Sequence, residues 1–317
     1  MWSLRLRMWL LTTILFAIIY AVVSIISYSL GVGNFYFYLI LSFVMMFLQY
    51  MMGPKIVEWS MKVRYLKEGE DPKLEAMVKE LAKGAGVPTP RIGVADISIP
   101  NAFAFGRTIR DGRICVTEGI RRLLDDRELK AVIGHEMSHI KNRDMLTITL
   151  LSVIPIILYR IAWQLMFYGD RRDRNQGSAA LIGFAAFAFY FLTNLLVLYA
   201  SRIREYFADS GSISLGSEPS SLASALYKLA YGSARMPKEA IKDAEGMKAF
   251  FVNDPSRSIS DLKELKELDL DRSGSISAGE LHNLQSKRIV LSFGDKVFEL
   301  FSTHPNMLKR IKRLIAI

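Results

Sequence analysis

The pattern of apolar and polar positions divides the chain into two kinds of segment. Residues 8–30, 35–52, 145–167 and 179–200 are apolar almost throughout. A helix needs about 20 such residues to cross the hydrocarbon of a bilayer, and each run reaches or approaches that length. The third is the least pure, since Pro155, Arg160 and Gln164 interrupt it. Arg160 lies near its far end, from where a long side chain extends its charge to the interface. These runs predict four transmembrane helices arranged as two hairpins, 1–52 and 145–200. A cleaved signal peptide does not suit the first run, which is too long and is followed at once by a second.

Elsewhere the pattern is amphipathic. Asp71-Pro72 opens a helix that runs to Lys83, with Leu74, Met77, Val78 and Leu81 on one face. Residues 91–104 and 113–116 are rich in β-branched and aromatic side chains and read as short strands, with 106–112 as the loop between them. Asp125 and Glu128 have the spacing of a capping box, and Ala131, Val132, Ile133 and Ile140 give the following helix an apolar surface. Residues 201–209 continue the fourth apolar run without a helix breaker. An amphipathic helix is predicted over 217–231 and a basic one over 307–317, while 238–258 read as irregular. The fold class is therefore mainly α with a small β-sheet, a soluble domain in two parts (53–144 and 201–317) split by the second hairpin.

Chemistry concentrates in the stretch AVIGHEMSHIKNRD, residues 131–144. It holds His135-Glu136-x-x-His139, two of only four histidines in 317 residues. Positions four apart lie above one another on a helix, so both imidazoles project from one face and can grip a single Zn2+. Glu136 points round the helix toward a water on that metal and can take its proton. Gly134 leaves room beside His135 for metal and substrate. A catalytic zinc needs a third protein ligand. Glu205, in Arg204-Glu205-Tyr206-Phe207-Ala208-Asp209, is the candidate, with Asp209 one turn on to orient a ligand imidazole. Pro100-Asn101-Ala102-Phe103-Ala104 is either an ordinary strand end or an edge on which Asn101 and Ala102 bind an extended peptide. His304-Pro305 is either a turn or a donor to a tetrahedral oxyanion, and the residues alone favour the turn.

These stretches (PNAFAFG, VTEG and HEMSHIKNRD between 100 and 144, REYFAD at 204–209, FSTHP at 301–305) resemble the HtpX family. Its members are membrane zinc metalloproteases of bacteria and archaea, related to the CAAX prenyl endopeptidases. The resemblance implies an integral membrane endopeptidase with a cytosolic gluzincin-type site that degrades damaged or misfolded membrane proteins under envelope stress. At matching positions it implies that His135, His139 and Glu205 bind zinc and that Glu136 is the base. It raises Asn101 and His304 as substrate or transition-state contacts.

Charge refines the picture. The formal net charge is +10 and hydrophobic residues make up 51% of the chain, with a mean hydropathy of +0.21. Arg5, Arg7, Lys55, Lys62, Arg64, Arg202 and Arg204 flank apolar runs without an interleaved aromatic platform. That pattern suits cytoplasmic retention and anionic lipid, and it argues against nucleic-acid binding. Arg171, Arg172 and Arg174 conflict with it, because four full spans put their loop outside; the early helices are taken to dominate. The reading is a multi-pass protein of a prokaryotic cytoplasmic membrane, its catalytic side cytoplasmic, its partners the bilayer and membrane-protein substrates. A single cysteine, Cys115, excludes an internal disulfide. Cleavage specificity and oligomeric state are not encoded legibly.

Two further expectations follow. His139 precedes the third run by six residues and Glu205 follows the fourth by five. Unbroken helices would therefore put the metal about two turns from the membrane, a place suited to cleaving loops near it. Separately, Asp269, Asp271, Ser273, Gly274, Ser275 and Glu280 match an EF-hand loop position by position, within a helix–loop–helix insertion at about 258–288. Zn2+ is one expected ion and Ca2+ at this loop the other. A non-catalytic zinc scaffold or Ca2+-responsive regulator is the competing function. Three identifiable ligands and an intact glutamate favour catalysis over it, since structural zinc closes all four positions.

Overall fold

The computed structural model describes residues 50–144, 176–236, 268–271, 273–284 and 293–315, and in addition residues 47, 147, 148, 151, 155, 158, 159, 162, 163 and 265. The chain forms two compact units. One comprises Met1–Met52 and Leu146–Ile203, the other Gly53–Met145 and Arg204–Ile317.

In the first unit Tyr190 packs its ring against Tyr159 at 5.4 Å and Phe187 at 5.7 Å. Leu181, Phe184, Phe187, Phe191 and Leu192 are exposed. Among the described residues one helix is long and apolar enough to cross a membrane, Leu181–Ser214. The predicted spans at 8–30, 35–52 and 145–167 fall largely outside the described residues, as does the segment 238–258.

The second unit is built on a four-stranded mixed sheet. Helix α1 (50–60) leads through a turn into β1 (Val63–Tyr65), then α2 (Pro72–Ala85), β2 (Arg91–Ala95), β3 (Ala102–Phe105) and β4 (Arg113–Thr117). Strand order is β1-β2-β4-β3; β2 and β4 are parallel, while β1 and β3 run antiparallel to their neighbours. β3 is thus an edge. Side chains alternate across the sheet as the pleat requires. Phe103, Phe105 and Cys115 pack with Val57 and Met61 on one face. Ala102, Ala104, Ile114 and Val116 face the main core on the other.

That core is helical. α3 (Glu118–Leu123) leads to α4 (Asp126–Lys141), whose predicted capping box is present in full: the Asp125 side chain accepts from the Glu128 amide and the Glu128 side chain from the Asp125 amide. Val132, Ile133 and Met137 of α4 are fully buried against Leu74, Val78 and Leu81 of α2. The same core takes Leu222, Leu226 and Leu229 of α6 (Pro219–Ala234) and Ile311 and Leu314 of α9 (Met307–Leu314). Between these lie α5 (Gln176–Ser214), α7 (Ala278–Leu284) and α8 (Phe293–Leu300). The chain departs from expectation in two places. The strand over 91–104 is two strands broken at 96–101, where the chain leaves the sheet centre for its edge. α4 ends at Lys141, and Arg143 adopts φ 55°, so this helix does not run unbroken toward residue 145. Half of the distance estimate from metal to membrane falls with it.

Candidate active site

The site forms where α4 crosses α5. The crossing is close because small residues meet there. A Cβ on Gly134 would stand 2.9 Å from Ser212 Oγ, and one on Gly211 would run into the Ser138 side chain. Gly134 therefore clears space for the neighbouring helix rather than for metal and substrate. Ser212 Oγ donates to the Ala131 carbonyl at 2.6 Å, fixing the register of the crossing.

That register turns three ligand atoms toward one point. The Nε2 atoms of His135 and His139 lie 3.2 Å apart, their rings nearly perpendicular at 86°. Glu205 Oε2 is 3.5 Å from His135 Nε2, and Oε1 is 3.6 Å from His139 Nε2. Ligands at 2.0–2.1 Å from a tetrahedral zinc are separated by about 3.3 Å, so this triangle has the size such an ion requires. No ion is needed to explain the fold of α4, yet both ring nitrogens of His304 are buried and have no hydrogen-bond partner among the described residues. His304 Nδ1 stands 3.4 Å from Glu205 Oε2.

The outer nitrogens of the imidazoles are held by carboxylates. His135 Nδ1 lies 2.9 Å from Asp209 Oδ1, and His139 Nδ1 lies 2.5 Å from Asp144 Oδ2. Each carboxylate in turn meets a guanidinium. Arg310 donates twice to Asp209, at 2.7 and 3.0 Å, and its Nη1 is 3.1 Å from Glu205 Oε2. Arg204 pairs with Asp144. Glu136, Glu205, Asp144, Asp209, Arg204 and Arg310 are all buried. Four carboxylates against two guanidiniums leave two negative charges inside the protein, which one divalent cation would balance. The donor set and the charge both fit zinc.

Burial lifts the Glu136 carboxyl above its usual range, with the neighbouring imidazoles pulling the other way. Its Oε2 accepts a hydrogen bond of 2.6 Å from the backbone amide of Ala104 on β3. Burial would also lower both histidines. In His135 the hydrogen bonds to Asp209 and Glu205 outweigh it and raise the ring to about 9. In His139 the nearby His135 adds to burial, and the ring falls to about 4.

The structure brings Glu136, His135, His139, Glu205, Asp209 and His304 together. Ala102 lies on the same edge strand as Ala104, beside Glu136. Asn101, just before that strand, is buried, its main chain bonded to Thr117 through N and O. The EF-hand-like loop is a separate cluster. Ligand atoms of Asp269, Asp271 and Glu280 lie within 4.8 Å of one another. Asp269 already accepts from the Ser273 and Gly274 amides and the Tyr227 hydroxyl, and Glu280 accepts from the amides of Leu270 and Ser277. Ser273 and Ser275 bond each other at 3.0 Å. Sequence reasoning assigned no role to Asp144 or Arg310, and it read Arg204 as a membrane-flanking charge, whereas the structure buries Arg204 against Asp144.

Comparison with known proteins bears on this arrangement. The model of peptidase family M48 matches residues 68–317. The chain belongs to peptidase family M48. This M48 peptidase is 53% identical over 228 residues to a "Protease HtpX homolog" of Methanothermobacter thermautotrophicus, covering 72% of the chain and 86% of the relative. It is 34% identical over 322 residues to the homologue from Thermococcus sibiricus, covering 98% and 96% of the two chains. The crystal structure of S. mikatae Ste24p shares the fold, with a TM-score of 0.50 and 18% identity over 98% of this chain and 67% of that one. The expected resemblance to HtpX is thus met. The M48 peptidase is a metalloprotease whose family implies zinc, and His135, Glu136 and His139 form its HExxH group.

Proposed function

We propose that this M48 metalloprotease holds one Zn2+ on His135, His139 and Glu205 and hydrolyses peptide bonds of membrane-protein substrates. The observation that carries this is the triangle of ligand atoms at 3.2, 3.5 and 3.6 Å with Glu136 beside it. Zinc held by His135, His139 and Glu205 would supply Lewis acidity toward the scissile carbonyl and an attacking water. Glu136 takes the proton of that water as it attacks, its raised carboxyl being suited to accept a proton and return it to the leaving amine. His304, buried and without a hydrogen-bond partner for its ring nitrogens among the described residues, donates to the developing oxyanion. The outer edge of β3, with Ala102 next to Asn101, aligns an extended substrate through main-chain hydrogen bonds. Asp209 and Arg310 fix the His135 ring.

Membrane location is part of the proposal. The helix Leu181–Ser214, of mean hydropathy 2.1 over its apolar window, supports it, as do the apolar runs of the sequence. We read the protein as multi-pass, with a cytoplasmic site that removes damaged membrane proteins. The deciding experiment compares wild type and Glu136→Gln, each zinc-loaded, on a misfolded membrane protein and on the same loop in soluble form. Glu136→Gln should keep its zinc and lose about 10²–10⁴-fold in rate. Full activity in the variant would remove the mechanism, and equal turnover of both substrates would remove the quality-control role.

Ca2+ at Asp269, Asp271, Ser273, Ser275 and Glu280 is an addition to this function, supported by the 4.8 Å convergence of the three carboxylates. A higher melting temperature of zinc-saturated protein on adding Ca2+ is its test, and an unmoved curve ends it.

A further inference from the structure

We propose that Asp144 is a positioning residue for the second imidazole of the site, doing for His139 what Asp209 does for His135. The inference rests on the zinc reading above. On a continuous helix, residue 144 would lie about 140° around the axis and about 7.5 Å along it from residue 139, out of reach of that ring. The chain is shaped otherwise. α4 stops at Lys141, Asn142 caps it at φ −82° and ψ −2°, and Arg143 turns the backbone at φ 55°. A left-handed conformation at a side chain of this size costs about 1–2 kcal/mol. The apolar face of α4 has ended at Ile140 by then, so the turn contributes little to packing. What it delivers is a carboxylate, folded back to 2.5 Å from His139 Nδ1.

The other oxygen of Asp144 is taken by Arg204, the residue preceding Glu205 on α5. Both members of the pair are buried, at 8% and 4% exposure, and a charged group taken out of water is tolerated where an opposite charge lies against it. The two imidazoles are therefore treated alike. Each sets its Nδ1 within 2.9 Å of a carboxylate that is paired in turn with an arginine, and each turns its Nε2 toward the same point. A carboxylate behind a ligand histidine fixes its tautomer and raises its basicity, and removing one weakens metal binding about 10- to 100-fold.

The test uses the full chain in detergent and reads metal, not turnover. Zn2+ dissociation is measured by competition with a chelating dye, and the visible spectrum is taken of the Co2+ form. Asp144→Asn should raise the zinc dissociation constant 10- to 100-fold and shift the Co2+ bands. Arg204→Met, which removes the ion pair but leaves the imidazole bond, should lower the melting temperature and move zinc affinity less. If Asp144→Asn does not fold, Asp144→Glu takes its place, since the extra methylene misplaces the carboxylate while keeping its charge. Zinc affinity within threefold of wild type, with an unchanged Co2+ spectrum, in either variant would overturn the proposal. So would Arg204→Met equalling Asp144→Asn in its effect on affinity, which would mark a structural ion pair alone. Wild type that binds no zinc would instead overturn the metal site from which this inference starts.

Discussion

A buried carboxylate needs a cation at its back, and arginine supplies it at several points of this molecule. Asp111 shows the same pairing at a half-buried position. It meets Arg107 at 2.8 Å and Arg113 at 3.0 Å, beside β4. Burial works to raise its carboxyl, but the hydrogen bond from Arg107 and the charge of Arg113 outweigh it and hold the group below the ordinary carboxylate range. A lowered folded-state value means that the unfolded chain takes up the proton first as pH falls. The stabilisation is then complete above the unfolded value of about 3.9 and disappears as pH falls through the folded one. Asp111→Asn should melt below wild type at pH 7, and the gap should close as pH falls through the lowered folded-state value, as read from paired melting curves; a constant gap would contradict this. Residues of this kind were only partly legible. His135, Glu136 and His139 announce themselves by spacing. Arg310 does not, because it sits among Lys309, Lys312 and Arg313, where a basic residue reads as a solvated face. Its partner Asp209 is 101 residues away.

Elements carry the geometry that those residues need. The α4–α5 crossing depends on Gly211, whose added methyl would meet the Ser138 side chain. Gly211→Ala should destabilise the protein by about 1–3 kcal/mol, as overpacked contacts do. Ser138→Gly in the same chain should recover part of that loss, and a double-mutant cycle of melting free energies without coupling would show the contact to be unimportant. β3 offers a finer probe. The amide of Ala104 faces away from β4 and donates to Glu136, so a proline at that position removes the donor while the ladder to β4 stays intact. A hydrogen bond to a charged acceptor is worth about 1.5–3 kcal/mol, so kcat of Ala104→Pro should fall by one to two orders of magnitude with zinc content unchanged. An unaltered kcat would remove that amide from the account. Helices with strong periodicity, such as α2 and α6, were predictable to within a few residues. β1 was not, since Val63–Tyr65 is three residues with a charge at its centre and exists only because β2, some 28 residues on, pairs with it. The end of α4 was hidden for a related reason: nothing in Lys141-Asn142-Arg143-Asp144 breaks a helix outright, and the turn is set by what Asp144 reaches.

At the scale of the whole molecule, the two uncompensated negative charges link metal to stability. Removing zinc should lower the melting temperature, and adding it back should restore the curve; at a hundredfold excess over its dissociation constant a ligand adds about 2.7 kcal/mol. A chelated protein that melts with the loaded one would show that the charge is balanced otherwise. The legible part at this scale was the alternation of apolar runs with amphipathic segments. The meeting of His135 and His139 with Glu205 and Asp209 was anticipated too, but the arrival of Arg310 from α9 was not, because it follows from helix packing over long separations. That separation has a consequence for biosynthesis. From His135 to Arg310 the ribosome must add 175 residues, which at about 5–20 residues per second takes some 9 to 35 seconds. Throughout that interval the nascent chain carries its histidines without the guanidinium that pairs with Asp209 and Glu205, so the buried charge network is closed only once α9 has been made.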